Sequence, residues 1–148
     1  MSEDRSAVVR ELEKLLADTY TLYVKSHSYH WNVTGPQFTA LHTLFETHYT
    51  ELALAVDEIA ERIRALGAPA PGSFRQFTAL ATVKDDPTVP AATEMIRRLV
   101  ADHETVVTAA RRVVGAGEGA ADDASVDLGV RRIDVHEKVV WMLRSHLE

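Results

Sequence analysis

Apolar positions recur at helical spacing along most of this chain. Val8, Leu12, Leu15, Leu16, Thr19, Leu22, Tyr23, Ser26 and His30 follow the i, i+3, i+4 rule, which predicts a first helix of roughly 25 residues. "TGP" at 34–36 ends it, because glycine and proline together punctuate a helix and proline suits the first turn of the next one. A second helix is expected from about Gln37 to Leu66, where "GAPAPG" stops it. Residues 67–89 form a longer connection with one short helical piece, "SFRQFTAL", for which Ser73 is the expected N-cap. A third helix runs from about Pro90 to Val114 on a stripe that includes Met95, Ile96, Leu99, Val100, His103, Val106, Val107, Ala110, Val113 and Val114. "GAGEGA" reads as a tight break. Asp122 or Asp123 then caps a fourth helix to about Leu147, striped by Ile133, His136, Val140, Leu143 and Leu147.

Four long helices joined by short, long and short connections specify an all-α four-helix bundle. The short links make antiparallel hairpins. A connection of about 20 residues is long enough to run the bundle's length and set the second and third long helices parallel. That is the ferritin-like variant, with one long crossover carrying a short helix.

Composition narrows the class. The chain of 148 residues, 46% hydrophobic and 26% charged, is expected to be a single domain over 1–148. The absence of cysteine excludes a disulfide scaffold, a thiolate zinc site and a cysteine nucleophile. No signal-type apolar segment opens the chain and no window approaches a membrane span, so a cytoplasmic protein with no membrane partner is expected. A net charge of −6 argues against a globally basic nucleic-acid binder and is compatible with attracting cations.

The stretch "KSHSYHWNVTGPQFTALHTLFETHY" then changes the picture, because it holds His27, His30, His42 and His48, four of the chain's seven histidines. The second helix pairs His42 with Glu46, and Asp57 with Glu61, each at i, i+4 and therefore on one face. Fifteen residues separate His42 from Asp57, a rise of about 22 Å. Metal–ligand bonds are about 2 Å, so one helix cannot bring both pairs to one ion. Two antiparallel copies related by a two-fold axis near Leu52 would solve this, giving a homodimer with two equivalent sites roughly 20 Å apart. His30 is folded back beside the start of the second helix by the "NVTGP" turn. Imidazoles and carboxylates together suit ferrous iron, and also zinc, manganese or cobalt.

Other readings are weaker. No histidine has Glu three residues before it, as a di-iron bundle of the usual sort requires, and HExxH is absent. His103 and His136 read as satisfied core histidines, His48 as structural and His146 as a surface residue, while His27 shares a face with His30. For Asp57 and Glu61 the plain alternative is a solvated face paired with Arg62 and Arg64.

"HWNVTGPQFTALHTLFETHYTELALAVDEIAERIRALG" resembles the signature of the Dps family, the mini-ferritins, and the likeness runs from "LADTYTLYVKSHSYHWN" to "HEKVVWMLRSHLE". The resemblance implies a ferroxidase whose ligands are His30 and His42 from one subunit and Asp57 and Glu61 from its two-fold mate, with Glu46 as a further acidic ligand. It implies that Trp31, beside the site, takes up oxidising equivalents. It further implies a hollow dodecamer that oxidises Fe2+ with hydrogen peroxide in preference to O2 and stores an Fe3+ mineral, protecting against oxidative damage. Zinc or another divalent metal could occupy the same site. Asp123 and Asp127 match the family's acidic three-fold pore for iron access, although Asp123 could equally serve as a helix cap. DNA binding, a nucleoid-associated alternative, is where the sequence departs: the termini lack the family's Lys/Arg-rich tail.

Overall fold

The computed structural model describes residues 1–148 and is helical throughout. Its elements are α1 (Glu3–Asn32), α2 (Phe38–Ala65), α3 (Phe74–Leu80), α4 (Ala92–Gly119) and α5 (Asp123–Ser145). α1, at 30 residues, is longer than its apolar stripe predicts. Its added first turns are polar and carry no stripe. Ser2 caps them by accepting from the Arg5 N–H at 3.2 Å, and Glu3 and Asp4 place negative charge at the positive end of the helix dipole. Gly35, at φ +109°, makes the reversal into α2, a conformation a side chain would strain. α3 is held by the expected cap: Ser73 accepts from the Gln76 N–H, and the Gln76 side chain accepts from the Ser73 N–H.

The second half corrects one expectation and decides another. "GAGEGA" is not a break, because α4 continues to Gly119 and the chain turns only at Ala120–Asp122, with Ala121 at φ 53°. Gly117 in that stretch, and Gly129 of α5, serve close packing instead. A Cβ on Gly117 would lie 2.8 Å from Val126 Cγ2, and one on Gly129 would lie 2.8 Å from Val114 Cγ2 and 3.0 Å from the Ala110 carbonyl oxygen. α4 and α5 therefore cross closely at this end. Asp122, not Asp123, is the cap of α5: its carboxylate accepts from the Ser125 N–H at 3.1 Å and from Arg62 at 2.7 Å.

The α1–α2 and α4–α5 hairpins pack through α1 against α4, enclosing Leu12, Leu15, Leu16, Leu22, Phe45, Leu52, Ile59, Met95, Leu99, Val113 and Leu143. Each such side chain contributes about 1.5–3 kcal/mol by leaving water. The crossover climbs along α1. Asp18 accepts from the Thr82 and Val83 N–H groups at 2.6 and 2.8 Å, Lys25 donates to the Lys84 carbonyl at 3.0 Å, and the Tyr29 hydroxyl donates to Asp86. The order Asp18, Lys25, Tyr29 brings the start of α4 to the end of α1, where α2 also starts. α2 and α4 are therefore parallel, and the bundle is the single-crossover form.

Candidate metal centre

The turn at 33–37 lays the end of α1 against the start of α2, and two imidazoles close the junction. The Nδ1–H of His30 donates to the His42 carbonyl at 2.6 Å, and the Nδ1–H of His42 donates to the His30 carbonyl at 2.8 Å. The rings stack with centroids 3.8 Å apart and planes within 13°. This reciprocal pair fixes both tautomers. With each Nδ1 carrying its proton, both Nε2 atoms keep a lone pair, the arrangement found at metal-binding histidines. Glu46 sits one turn past His42 with an oxygen 3.9 Å from His30 Nε2. A carboxylate thus lies close to the free nitrogen of His30.

Aromatic rings back this histidine pair. Phe38 stacks on His42 at 5.0 Å, and Tyr49 meets His30 edge-on at 5.1 Å. Trp31 is 64% exposed and touches neither imidazole; its ring lies 4.0 Å from His27, which stacks on Tyr49 at 4.3 Å. Its expected place beside the site is thus an indirect one, through His27. Desolvation and the neighbouring His30 hold His27 below the usual imidazole range. Desolvation and then the Glu46 carboxylate push the Tyr49 phenol above its ordinary value. Tyr49 is the ring that sequence reasoning missed, though it lies seven residues, about two turns, beyond His42 on the same face.

Asp57 and Glu61 lie farther along α2, on its exposed face. They are not tied up as the plain alternative supposed. Arg62 reaches instead to Asp122 and Ser125, and Arg64 donates to the Ala68 carbonyl at 2.9 Å. The α2 carboxylates that do pair with α5 are Glu51, with Arg132, and Glu58, with Arg131. Asp57 and Glu61 keep their oxygens free. Within one chain no three acidic or imidazole groups gather around a common point, so His30, His42 and Glu46 by themselves do not make a metal cluster. Asp123 is exposed at the start of α5, while Asp127 is bound by Arg131 at 2.9 Å, which offsets its charge. His103 and His136 are buried as expected, and both His136 nitrogens are satisfied, but His103 Nε2 has no partner, and neither does His48 Nδ1 beside it.

A ferritin-like domain model matches residues 9–148. The chain is 33% identical to DNA protection during starvation protein 2 of Bacillus anthracis, over 95% of this chain and 96% of that one. The fold superposes on a Dps protein from Bacillus brevis with a TM-score of 0.97 and 32% identity, covering 100% of this chain and 99% of that one. The chain belongs to the Dps family of ferritin-like proteins. A Dps protein from Vibrio cholerae O1, described as a member of a broad superfamily of ferritin-like diiron-carboxylate proteins, matches at a TM-score of 0.94 and 30% identity, over 98% and 91% of the two chains. Family membership accounts for the single-crossover helical bundle. No helix of this Dps chain is long and apolar enough to cross a membrane.

Proposed function

We propose that this chain is a ferroxidase that oxidises Fe2+ at sites completed between two copies, and that a homo-oligomeric cage, a dodecamer in the family pattern, stores the ferric product. The observation that carries the reading is the reciprocal His30–His42 pair, which commits both Nδ1 protons to carbonyls and offers both Nε2 lone pairs outward. Asp57 and Glu61 of the opposed copy supply hard oxygen donors that suit the Fe3+ product. The exposed Leu54 on α2 and Phe74 on α3, 70% and 76% open to solvent, suit burial against a second copy.

Iron is the substrate. His30 and His42 position it, Glu46 and the opposed carboxylates neutralise its charge, and their exposure leaves room for peroxide. With hydrogen peroxide the balance is 2 Fe2+ + H2O2 + 2 H+ → 2 Fe3+ + 2 H2O. Splitting the two electrons between two irons avoids releasing hydroxyl radical, which is the protective advantage of peroxide over O2. Trp31, reached through His27, is placed to supply an electron when only one iron is bound. Asp123 adds negative potential that draws cations to the start of α5.

Co-expression of His42→Ala and Asp57→Ala chains tests the shared site. Each variant alone loses rapid Fe2+ oxidation. A statistical mixture should recover about a quarter of the wild-type sites, since one site of each mixed interface holds a full donor set. No recovery, with cages intact, defeats the intersubunit arrangement.

A further inference from the structure

Away from that site, His48 of α2, His103 of α4 and His136 of α5 meet inside the bundle, with ring centroids 6.0 Å apart for His48–His103 and 5.0 Å for His103–His136. Their hydrogen bonds run in one direction. Arg132 can only donate, so His136 Nε2 accepts from it at 3.1 Å. A neutral His136 must then carry its proton on Nδ1 and donate to His103 Nδ1 at 2.8 Å. His103 in turn carries its proton on Nε2, where it meets no acceptor although the residue is 1% exposed. His48 Nδ1 and Arg132 Nε are likewise buried and unpartnered. Leaving a buried donor unmet costs about 1–3 kcal/mol, so the cluster is poised for an acceptor.

The same chain of donors disfavours a cation. Metal on His136 Nδ1 would force a proton onto Nε2, facing the Arg132 N–H groups. A cleft of about 420 Å³ opens beside the cluster, because α2 and α5 meet through long side chains such as Glu51–Arg132 and Glu58–Arg131 and their backbones stay apart. His48, His103 and His136 line it, together with Leu52, Val139 and Met142. Glu51 is held by Arg132, and Asp134 and Lys138 at the rim balance one another, so the cleft carries no net charge. Its size lies in the range of small-molecule sites, and its lining of aliphatic, thioether and imidazole groups suits a ring.

We propose that the α2–α5 cleft binds a small neutral aromatic molecule of one or two rings that presents a single hydrogen-bond acceptor to His103 Nε2–H. This site is separate from the iron site and does not depend on the ferroxidase reading.

The probes are 1-indanone, a two-ring ketone, and indane, which lacks the carbonyl, titrated calorimetrically into the assembled wild-type protein at pH 7.5. We expect one molecule per subunit, with indanone at least tenfold tighter, equivalent to about 1.4 kcal/mol for one rescued donor. In His103→Phe that preference should fall to twofold or less while indane still binds. Met142→Trp should fill the cleft and abolish binding of both, with iron oxidation unchanged. If His103→Phe does not assemble, a crystal of the wild-type indanone complex decides, with the carbonyl oxygen expected within hydrogen-bonding distance of His103 Nε2. Failure of indanone to bind at millimolar concentration, a preference that persists in His103→Phe, or a ketone seated elsewhere overturns the proposal.

Discussion

Two groups of histidines in this chain obey opposite rules. His30 and His42 spend their Nδ1 protons on backbone carbonyls across a turn and hold two lone pairs outward. His48, His103 and His136 sit inside the bundle, where Arg132 donates to His136, His136 donates to His103, and the series ends in a proton with no acceptor. Imidazole is chemically the same in both. What differs is the partner of the nitrogen that is not on view: a carbonyl makes the ring a ligand, and a cationic donor makes it a hydrogen-bond donor in turn. Position on a helix therefore does not decide what a histidine can do; its second nitrogen does.

The largest effect that separates the two groups is on catalysis. His42→Ala should lower the initial rate of Fe2+ oxidation at least tenfold, about 1.4 kcal/mol or more of lost transition-state stabilisation, with the cage still assembled. His103→Ala should leave that rate within about twofold while destabilising the fold by about 2–3 kcal/mol, through a cavity and the loss of His136's acceptor. Stopped-flow absorbance with peroxide and urea unfolding of the same preparations measure both. A slow His103→Ala protein of normal stability would erase the distinction.

Acid should separate them next. Burial pushes His48 down to about 4, and it holds His103 and His136 well below the usual imidazole range, with nearby Arg132 and imidazole charges acting in the same direction. These groups are neutral in the folded protein and take protons more readily when unfolded. Stability is therefore whole above about pH 6.5 and is lost as pH falls from there toward the folded values. Urea midpoints at pH 7.5, 6.0 and 5.0 should fall steadily, and His103→Leu should flatten the slope. A slope unchanged by that substitution would place the acid sensitivity outside the trio.

This contrast also marks what the sequence makes legible. Helix spacing gives the four long helices, the crossover with its Ser73 cap, and a short list of donors, because burial periodicity and i, i+4 pairing are local. Reach along α2 leads to the proposal of a shared site for the same reason. The unread features depend on contacts between distant segments. "GAGEGA" looks like a break until Val126 is seen pressing on Gly117. Asp122 and Asp123 are indistinguishable as caps until Arg62 selects the first. His103 reads as a satisfied core residue because nothing local shows that Arg132 sets the proton order of its neighbour.

The smallest expected effect is also the sharpest check on what orients the ligand pair. Tyr49 touches both His27 and His30, so aromatic packing could hold the imidazoles as readily as the two carbonyls do. Tyr49→Phe keeps the ring and removes only the hydroxyl, near Glu46. If the reciprocal bonds at 2.6 and 2.8 Å set ring orientation, the oxidation rate should stay within about twofold of wild type. A loss as deep as that of His42→Ala would mean the phenol itself handles a proton or an electron. The ligand pair would then be a triad, and its difference from the buried trio would lie in the chemistry of Tyr49 as well as in the partner of each Nδ1.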